Sequence, residues 1–110
     1  MDMKELNTFE QLKEKVDTEE KVLIFITNDF CSVCHADLPR IDKLCEKHNF
    51  PAYHVNITNK PMVAGQFTLF SVPAVILFFK GKEYHRQVHI IDFKELEYRI
   101  EELKNAPLED

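Results

Sequence analysis

Residues 21–39, KVLIFITNDFCSVCHADLP, decide the fold of this chain. They open with an unbroken apolar run, VLIFI, which predicts a strand covered on both faces of a sheet. A polar corner at residues 27–29 follows, and Cys31 and Cys34 then stand where a helical pattern begins. A strand that leads through a turn into a Cys-x-x-Cys helix is typical of a redox dithiol.

The predicted position of the two cysteines explains why such a pair is reactive. A thiol in the first helical turn faces unpaired backbone N–H groups and the positive end of the helix dipole, and both favour the thiolate. Cys34 lies one turn further along, close enough to form a disulfide with Cys31. We therefore predict that Cys31 attacks a substrate disulfide, and that Cys34, on the buried face of the helix, resolves the mixed disulfide.

Four features of the chain, taken in order, resemble the thioredoxin family across residues 20–103. They are the apolar strand, the Cys31–Cys34 motif, Pro39 in the following helix, and Val72-Pro73 before a second apolar strand. The resemblance implies a thioredoxin-like α/β fold, with a central mixed β-sheet flanked by helices on both faces. It also implies thiol–disulfide exchange, and a cis Pro73 that faces the dithiol.

The resemblance further implies a substrate groove. Phe30 stands where thioredoxins usually carry tryptophan and would form one wall, while Val72 and Pro73 would form the other. Val72 would offer its backbone to an extended substrate segment, as in strand addition. His89 occupies a position where the family usually has glycine, and an imidazole there would narrow the groove or take a proton near neutral pH. Each residue also has a plain structural interpretation: packing for Phe30, a strand boundary for Pro73, and solvent exposure for His89.

Two departures from the family bear on the mechanism. Thioredoxins carry a buried aspartate six residues before the nucleophile, which assists proton transfer at the resolving thiol, and this chain has Phe25 there. His35 and His89 are the candidates for assisting proton transfer at Cys34 in place of that aspartate. Ser32-Val33 also takes the place of the usual Gly-Pro between the cysteines. These two residues influence the redox potential in the family, so the direction of electron transfer stays open.

Other functions would use the same part of the chain. A thioredoxin-fold binding module would hold a partner without turnover, which the missing carboxylate favours. The run from Cys31 to His35 matches the Cys-x-x-Cys-His motif of c-type haem attachment, which implies export. A zinc-binding domain would use Cys31, Cys34, Cys45 and His48. However, the helix from Cys34 to Cys45 spans about 16 Å, too far for one tetrahedral site, so Cys45 is predicted to be a small core residue.

Composition and charge exclude several further classes of protein. The 110 residues, 45% of them hydrophobic, predict a single domain over residues 1–110 with one core. A net charge of −5 and scattered basic residues exclude nucleic acid as a partner. The sequence shows neither a membrane span nor a signal-peptide pattern, so the expected compartment is the cytoplasm. We expect a monomer without cofactor or metal, whose partners are protein disulfides and a reductase that recharges the dithiol.

Hydrophobic periodicity predicts the order α, β, α, β, α, β, β, α. The first helix, over residues 9–16, begins with a capping box at Thr8 and Gln11, and the last begins at Asp92 with Glu95. The strands are predicted at 21–27, 52–57, 74–79 and 83–88, with a helix at 61–67 and a further edge strand at 3–6. The helix that carries the cysteines ends near Asn49.

Overall fold

The computed structural model of the protein describes residues 3–66 and 71–105. Within these ranges a five-stranded sheet lies between two pairs of helices. None of the helices found there combines the length and the apolar character that crossing a membrane requires. In chain order the elements are β1 (Lys4–Leu6), α1 (Phe9–Thr18), β2 (Lys21–Thr27), α2 (Ser32–Lys47), β3 (Ala52–Asn56), α3 (Pro61–Gln66), β4 (Ala74–Phe79), β5 (Lys82–Val88) and α4 (Phe93–Lys104).

The sheet has the strand order β1-β3-β2-β4-β5. Strands β1, β3 and β2 are parallel neighbours, whereas β4 is antiparallel to β2 and β5 is antiparallel to β4. Parallel neighbours need a crossover connection, and α2 supplies it between β2 and β3. The predicted α/β fold with a mixed sheet is therefore confirmed.

Strand β2 is at the centre of the sheet and sends alternate side chains into two cores. Val22, Ile24 and Ile26 pack on the side of α1 and α3. Leu23 and Phe25 pack on the side of α2 and α4. All five side chains are buried, which accounts for the unbroken apolar run in the sequence. The end of β2, from which the cysteine-containing turn leaves, is consequently fixed from both faces.

The predicted helix caps are confirmed. Thr8 and Gln11 form a complete capping box at the start of α1. The Asp92 side chain accepts hydrogen bonds from the backbone N–H groups of Lys94 and Glu95 at 3.1 and 3.0 Å, so α4 begins where the sequence indicates. These caps satisfy donors that the first helical turn leaves without intrahelical partners.

Several element ends differ from the prediction by one or two residues. Helix α1 continues to Thr18, because hydrogen bonding persists up to the Glu19 N–H, which donates to the Lys15 carbonyl. The residues at this end of α1 are mostly charged, so no hydrophobic periodicity is present from which the end of the helix could be predicted. Strand β5 begins one residue earlier than predicted, at Lys82, and β3 ends one residue earlier, at Asn56. Residue 67 of the predicted third helix lies outside the described residues.

Phe25 and Phe30 allow a matched test of core packing. Phe25 is 0% exposed and Phe30 is 90% exposed. We expect Phe25→Ala to lower the free energy of unfolding by about 3–5 kcal/mol, because it removes buried apolar atoms and leaves a cavity in the core. Phe30→Ala should change it by less than about 0.5 kcal/mol. Urea titration of the oxidised proteins measures both values, and similar losses for the two variants would contradict this packing.

Candidate active site

The corner between β2 and α2 is fixed by hydrogen bonds to itself and to the loop after β3. The Asn28 side-chain oxygen accepts from the Phe30 N–H at 2.9 Å. The Asp29 N–H donates to the Thr58 hydroxyl at 2.8 Å, and the Asn56 amide donates to the Asp29 carboxylate at 2.8 Å. This short polar segment therefore has a defined conformation, in which it presents the residues that follow it.

Cys31 is the N-cap of α2. The sequence pattern predicts Cys31 inside the first turn, but the helix begins one residue later, at Ser32, and Cys31 keeps an extended backbone. The Cys31 sulfur accepts a hydrogen bond from the Cys34 N–H at 3.1 Å. An N-cap acceptor pairs with a helix N–H group that would otherwise lack a partner, so the N-cap position also favours a thiolate at Cys31.

Cys31 and Cys34 form a disulfide, with Cα atoms 5.3 Å apart. Cys31 is partly exposed, whereas Cys34 is only 2% exposed and faces the core. The predicted proximity of the pair is confirmed. The arrangement gives one sulfur that a second protein can approach and one that only its neighbour can reach.

A groove runs past the disulfide on one side. The Val72–Pro73 peptide bond is cis, as the family resemblance implies. The His89 N–H donates to the Pro73 carbonyl at 2.8 Å, which joins the loop after β5 to the start of β4. The structure thus brings together all of the residues predicted for the groove. Its walls include Phe30, Cys31, Val72, Pro73, His89 and Ile90.

His89 adopts a left-handed backbone conformation, with φ of 71°. Side chains with a Cβ rarely adopt such angles, whereas glycine does so without steric cost. This conformation gives a physical reason for the glycine that the family usually has at this position. Here the exposed imidazole stands over the groove instead.

Ile90 is a groove residue that the sequence analysis missed. Its side chain is 88% exposed, while the next residue, Ile91, is buried. Ile90 and Phe30 are thus two large apolar side chains that stay uncovered on the same groove. The available signal was the apolar pair Ile90-Ile91, which follows the end of β5 after one residue.

A second pocket lies behind the disulfide, against Cys34. Thr27, Cys34, His35 and His54 are among the residues that line it. The Thr27 hydroxyl and the His54 Nε2 atom are 2.7 Å apart. His35 is exposed at the rim, and His89 lies on the other groove. Of the two histidines considered in the sequence analysis, only His35 is therefore next to Cys34, and the structure adds His54.

Cys45 lies in the core, as predicted. Burial, reinforced by the nearby Asp42 carboxylate, raises the pKa of the Cys45 thiol to about 12. His48 contacts Glu97, with 2.7 Å between Nε2 and Oε2. Within residues 3–66 and 71–105, the group of potential metal ligands that come together is His48, Glu97 and Glu101, which includes no cysteine. The four residues considered for zinc therefore do not meet at one point.

Comparisons with known proteins agree with this geometry. A sequence model of the family described as Thioredoxin matches residues 3–102. The thioredoxin-like protein YdfQ of Bacillus subtilis (strain 168) is 35% identical over 78 residues, which cover 70% of each chain. Thioredoxin 1 from Thermosipho africanus has a TM-score of 0.70 at 28% identity, covering 77% of this chain and 99% of its own. A mutant thioredoxin from Halobacterium salinarum NRC-1 has a similar fold, with a TM-score of 0.82 at 20% identity over 94% of both chains.

Proposed function

We propose that this chain, which belongs to the thioredoxin family and is a thiol–disulfide oxidoreductase, reduces disulfides in proteins with Cys31 as the attacking sulfur. One observation carries the proposal. Cys31 is partly exposed at the N-terminus of α2, within bonding distance of a Cys34 that is buried. Such a pair can attack an outside disulfide and then close on itself.

The reaction consists of two exchanges. In the first, the Cys31 thiolate attacks one sulfur of the substrate disulfide, and the other substrate sulfur leaves with the electron pair of the broken bond. In the second, Cys34 attacks Cys31, the mixed disulfide breaks, and the second substrate sulfur leaves. The two cysteines of the protein are then oxidised to the Cys31–Cys34 disulfide, and the substrate holds two thiols.

The hydrogen bond at the N-cap supports Cys31 as the attacking residue. In the oxidised chain its sulfur accepts from the Cys34 N–H at 3.1 Å. When Cys31 is reduced, the same donor and the dipole of the 16-residue helix α2 face a negative charge, and hydrogen bonds to charged acceptors are the stronger ones. Cys34 lacks this advantage, because its side chain is buried beneath the helix start.

The groove supports a protein substrate in preference to a small thiol. Phe30 and Ile90 offer exposed apolar surface on the groove that Cys31 lines, and Val72 lines the same groove. In our proposal an extended segment of the substrate pairs with the Val72 backbone while its side chains contact the two apolar residues. His89 lines the same groove.

The family implies disulfide substrates and a reductase partner, and we propose the remaining features from composition and charge. We propose that the chain is a single domain that acts as a monomer in the cytoplasm, where a reductase returns the disulfide to the dithiol. A net charge of −5 argues against nucleic acid as a partner, because the phosphate backbone is also negatively charged. The electrons pass directly between sulfur atoms of the protein and of the substrate, so the proposal includes neither a cofactor nor a metal.

Serine variants of Cys31 and Cys34 separate the roles of the two sulfur atoms. We expect reduced Cys34→Ser to accumulate a mixed disulfide with a protein substrate such as insulin, close to one equivalent, because nothing resolves it. Cys31→Ser should lower the exchange rate more than about a hundredfold, because a hydroxyl does not replace a thiolate nucleophile. Non-reducing electrophoresis and the rate of insulin reduction measure these effects.

Cys45→Ala is the matched control for the cysteine variants. Its thiol is buried and held protonated, so its removal should leave the rate of insulin reduction unchanged. Trapping through Cys45, or equal activity of Cys31→Ser and the parent protein, would contradict the proposed roles.

Phe30→Ala tests the groove. We expect it to lower kcat/KM for a protein disulfide by about tenfold, since the side chain loses apolar contact with the substrate. The rate with a small aromatic disulfide, 5,5′-dithiobis(2-nitrobenzoate), should stay within about twofold, because that reagent does not need the groove. Tyr98→Ala on α4 is the control, as it removes another exposed aromatic residue. If Phe30→Ala slowed the reactions with both disulfides equally, Phe30 would affect the reactivity of Cys31 and not the binding of the protein substrate.

A further inference from the structure

The pocket behind Cys34 is lined by several polar side chains. It has a volume of about 210 Å³, room for several water molecules at about 30 Å³ each. Thr27, Asp29, His54 and Asn56 supply hydrogen-bonding groups around it, and Cys34 forms part of its wall. A polar, roomy pocket of this kind is where ordered water is expected.

We propose that His54 accepts the proton that the Cys34 thiol releases when it resolves the mixed disulfide, through water in the pocket that both residues line. This inference rests on the proposed function, because it concerns the second of its two exchanges. His54 does not touch the reacting sulfurs. It acts as a proton acceptor at the end of a short water path.

The sheet register brings His54 to this place. His54 on β3 is paired with Phe25 on β2, and their ring centroids are 6.3 Å apart. Both side chains lie on the sheet face that α2 covers. Phe25 is the residue that stands in place of the buried carboxylate, and it has no proton to exchange. The neighbouring strand β3 therefore supplies a titratable side chain, His54, beside Phe25, where the family has its buried carboxylate.

Thr27 fixes the orientation of the His54 ring. The 2.7 Å contact joins the Thr27 hydroxyl to Nε2 of His54, and Thr27 is itself buried. When Nε2–H donates to the hydroxyl oxygen, the lone pair of Nδ1 stays free to take up a proton. The contact can therefore persist in both protonation states, so that taking up a proton does not break it.

Burial keeps the pKa of His54 below its ordinary value, so the ring is neutral near pH 7, as a proton acceptor must be. Burial is the main cause that lowers the pKa of His54, the Glu5 carboxylate on β1 opposes the shift, and the His35 imidazole on α2 adds to it. Asp29, at the corner before α2, lines the same pocket, and Asp42 on α2 lines a groove on the other side of the ring. The half-buried ring is thus available as a base.

The proton balance of the resolving step is simple. The Cys34 S–H bond breaks as the Cys34 sulfur attacks Cys31, and the proton passes through water to His54. The Cys31–substrate bond breaks, the Cys31–Cys34 bond forms, and the substrate sulfur leaves with the electron pair. His54 then returns its proton to solvent. In the reverse direction the protonated ring supplies the proton that Cys34 needs.

Stopped-flow exchange with equimolar 5,5′-dithiobis(2-nitrobenzoate) separates the two steps. Attack by Cys31 releases the first 2-nitro-5-thiobenzoate, and resolution by Cys34 releases the second. We expect His54→Gln to leave the first phase within about twofold and to slow the second about tenfold or more at neutral pH, as loss of a general base does. In the parent the second phase should fall as the pH drops through the pKa of His54, and this inflection should be absent from His54→Gln.

Two further variants keep the test decisive if His54→Gln is poorly folded. His54→Ala opens space for a small base, and free imidazole in the buffer should restore its second phase without changing its first. His85→Gln is the matched control, since it removes another half-buried strand histidine whose pKa burial lowers, on the far strand β5. Both phases of that variant should equal those of the parent.

Several results would overturn the inference. An unchanged second phase in His54→Gln, equal slowing of both phases, or a loss seen in His35→Gln instead would each remove His54 from the proton path. Failure of imidazole to restore His54→Ala would do the same. If the parent released no 2-nitro-5-thiobenzoate at all, the proposed function would fail and this inference with it.

Discussion

In the proposed mechanism, the reactivity of the dithiol depends on one hydrogen bond, from the Cys34 N–H to the Cys31 sulfur. It exists because a helix starts directly after Cys31, and the helix starts there because the end of β2 is held between two cores. Without that fixed start, the two cysteines would be ordinary thiols on a flexible turn. The buried strand therefore contributes to reactivity as well as to stability.

The disulfide has different surroundings on its two sides. On the groove side, Phe30 and Ile90 are exposed and apolar, which suits recognition of another protein. On the other side, Thr27 and His54 line a polar pocket next to Cys34, which suits proton transfer. In this account substrate binding and proton transfer use separate groups, so a substitution on one side is expected to leave the step on the other side intact.

Much of the fold was predictable, since the apolar run of β2 and the caps at Thr8 and Asp92 are local signals that the structure confirms. The Cys31–Cys34 pair was equally predictable, because its spacing and its position after a strand are both local sequence signals. His54 was not found, because it is one of several histidines and only the register between β2 and β3 puts it beside Phe25. Ile90 was missed for a related reason: which member of an apolar pair is exposed depends on tertiary packing.

The central claim is that Cys31, and no other cysteine, is the reactive sulfur of the reduced chain. Brief alkylation with limiting iodoacetamide at neutral pH, followed by peptide mapping, tests this claim directly. We expect Cys31 to be labelled at least about tenfold faster than Cys34 or Cys45, since only its position is both accessible and stabilised as a thiolate. Labelling of Cys34 or Cys45 at the same rate as Cys31 would contradict it.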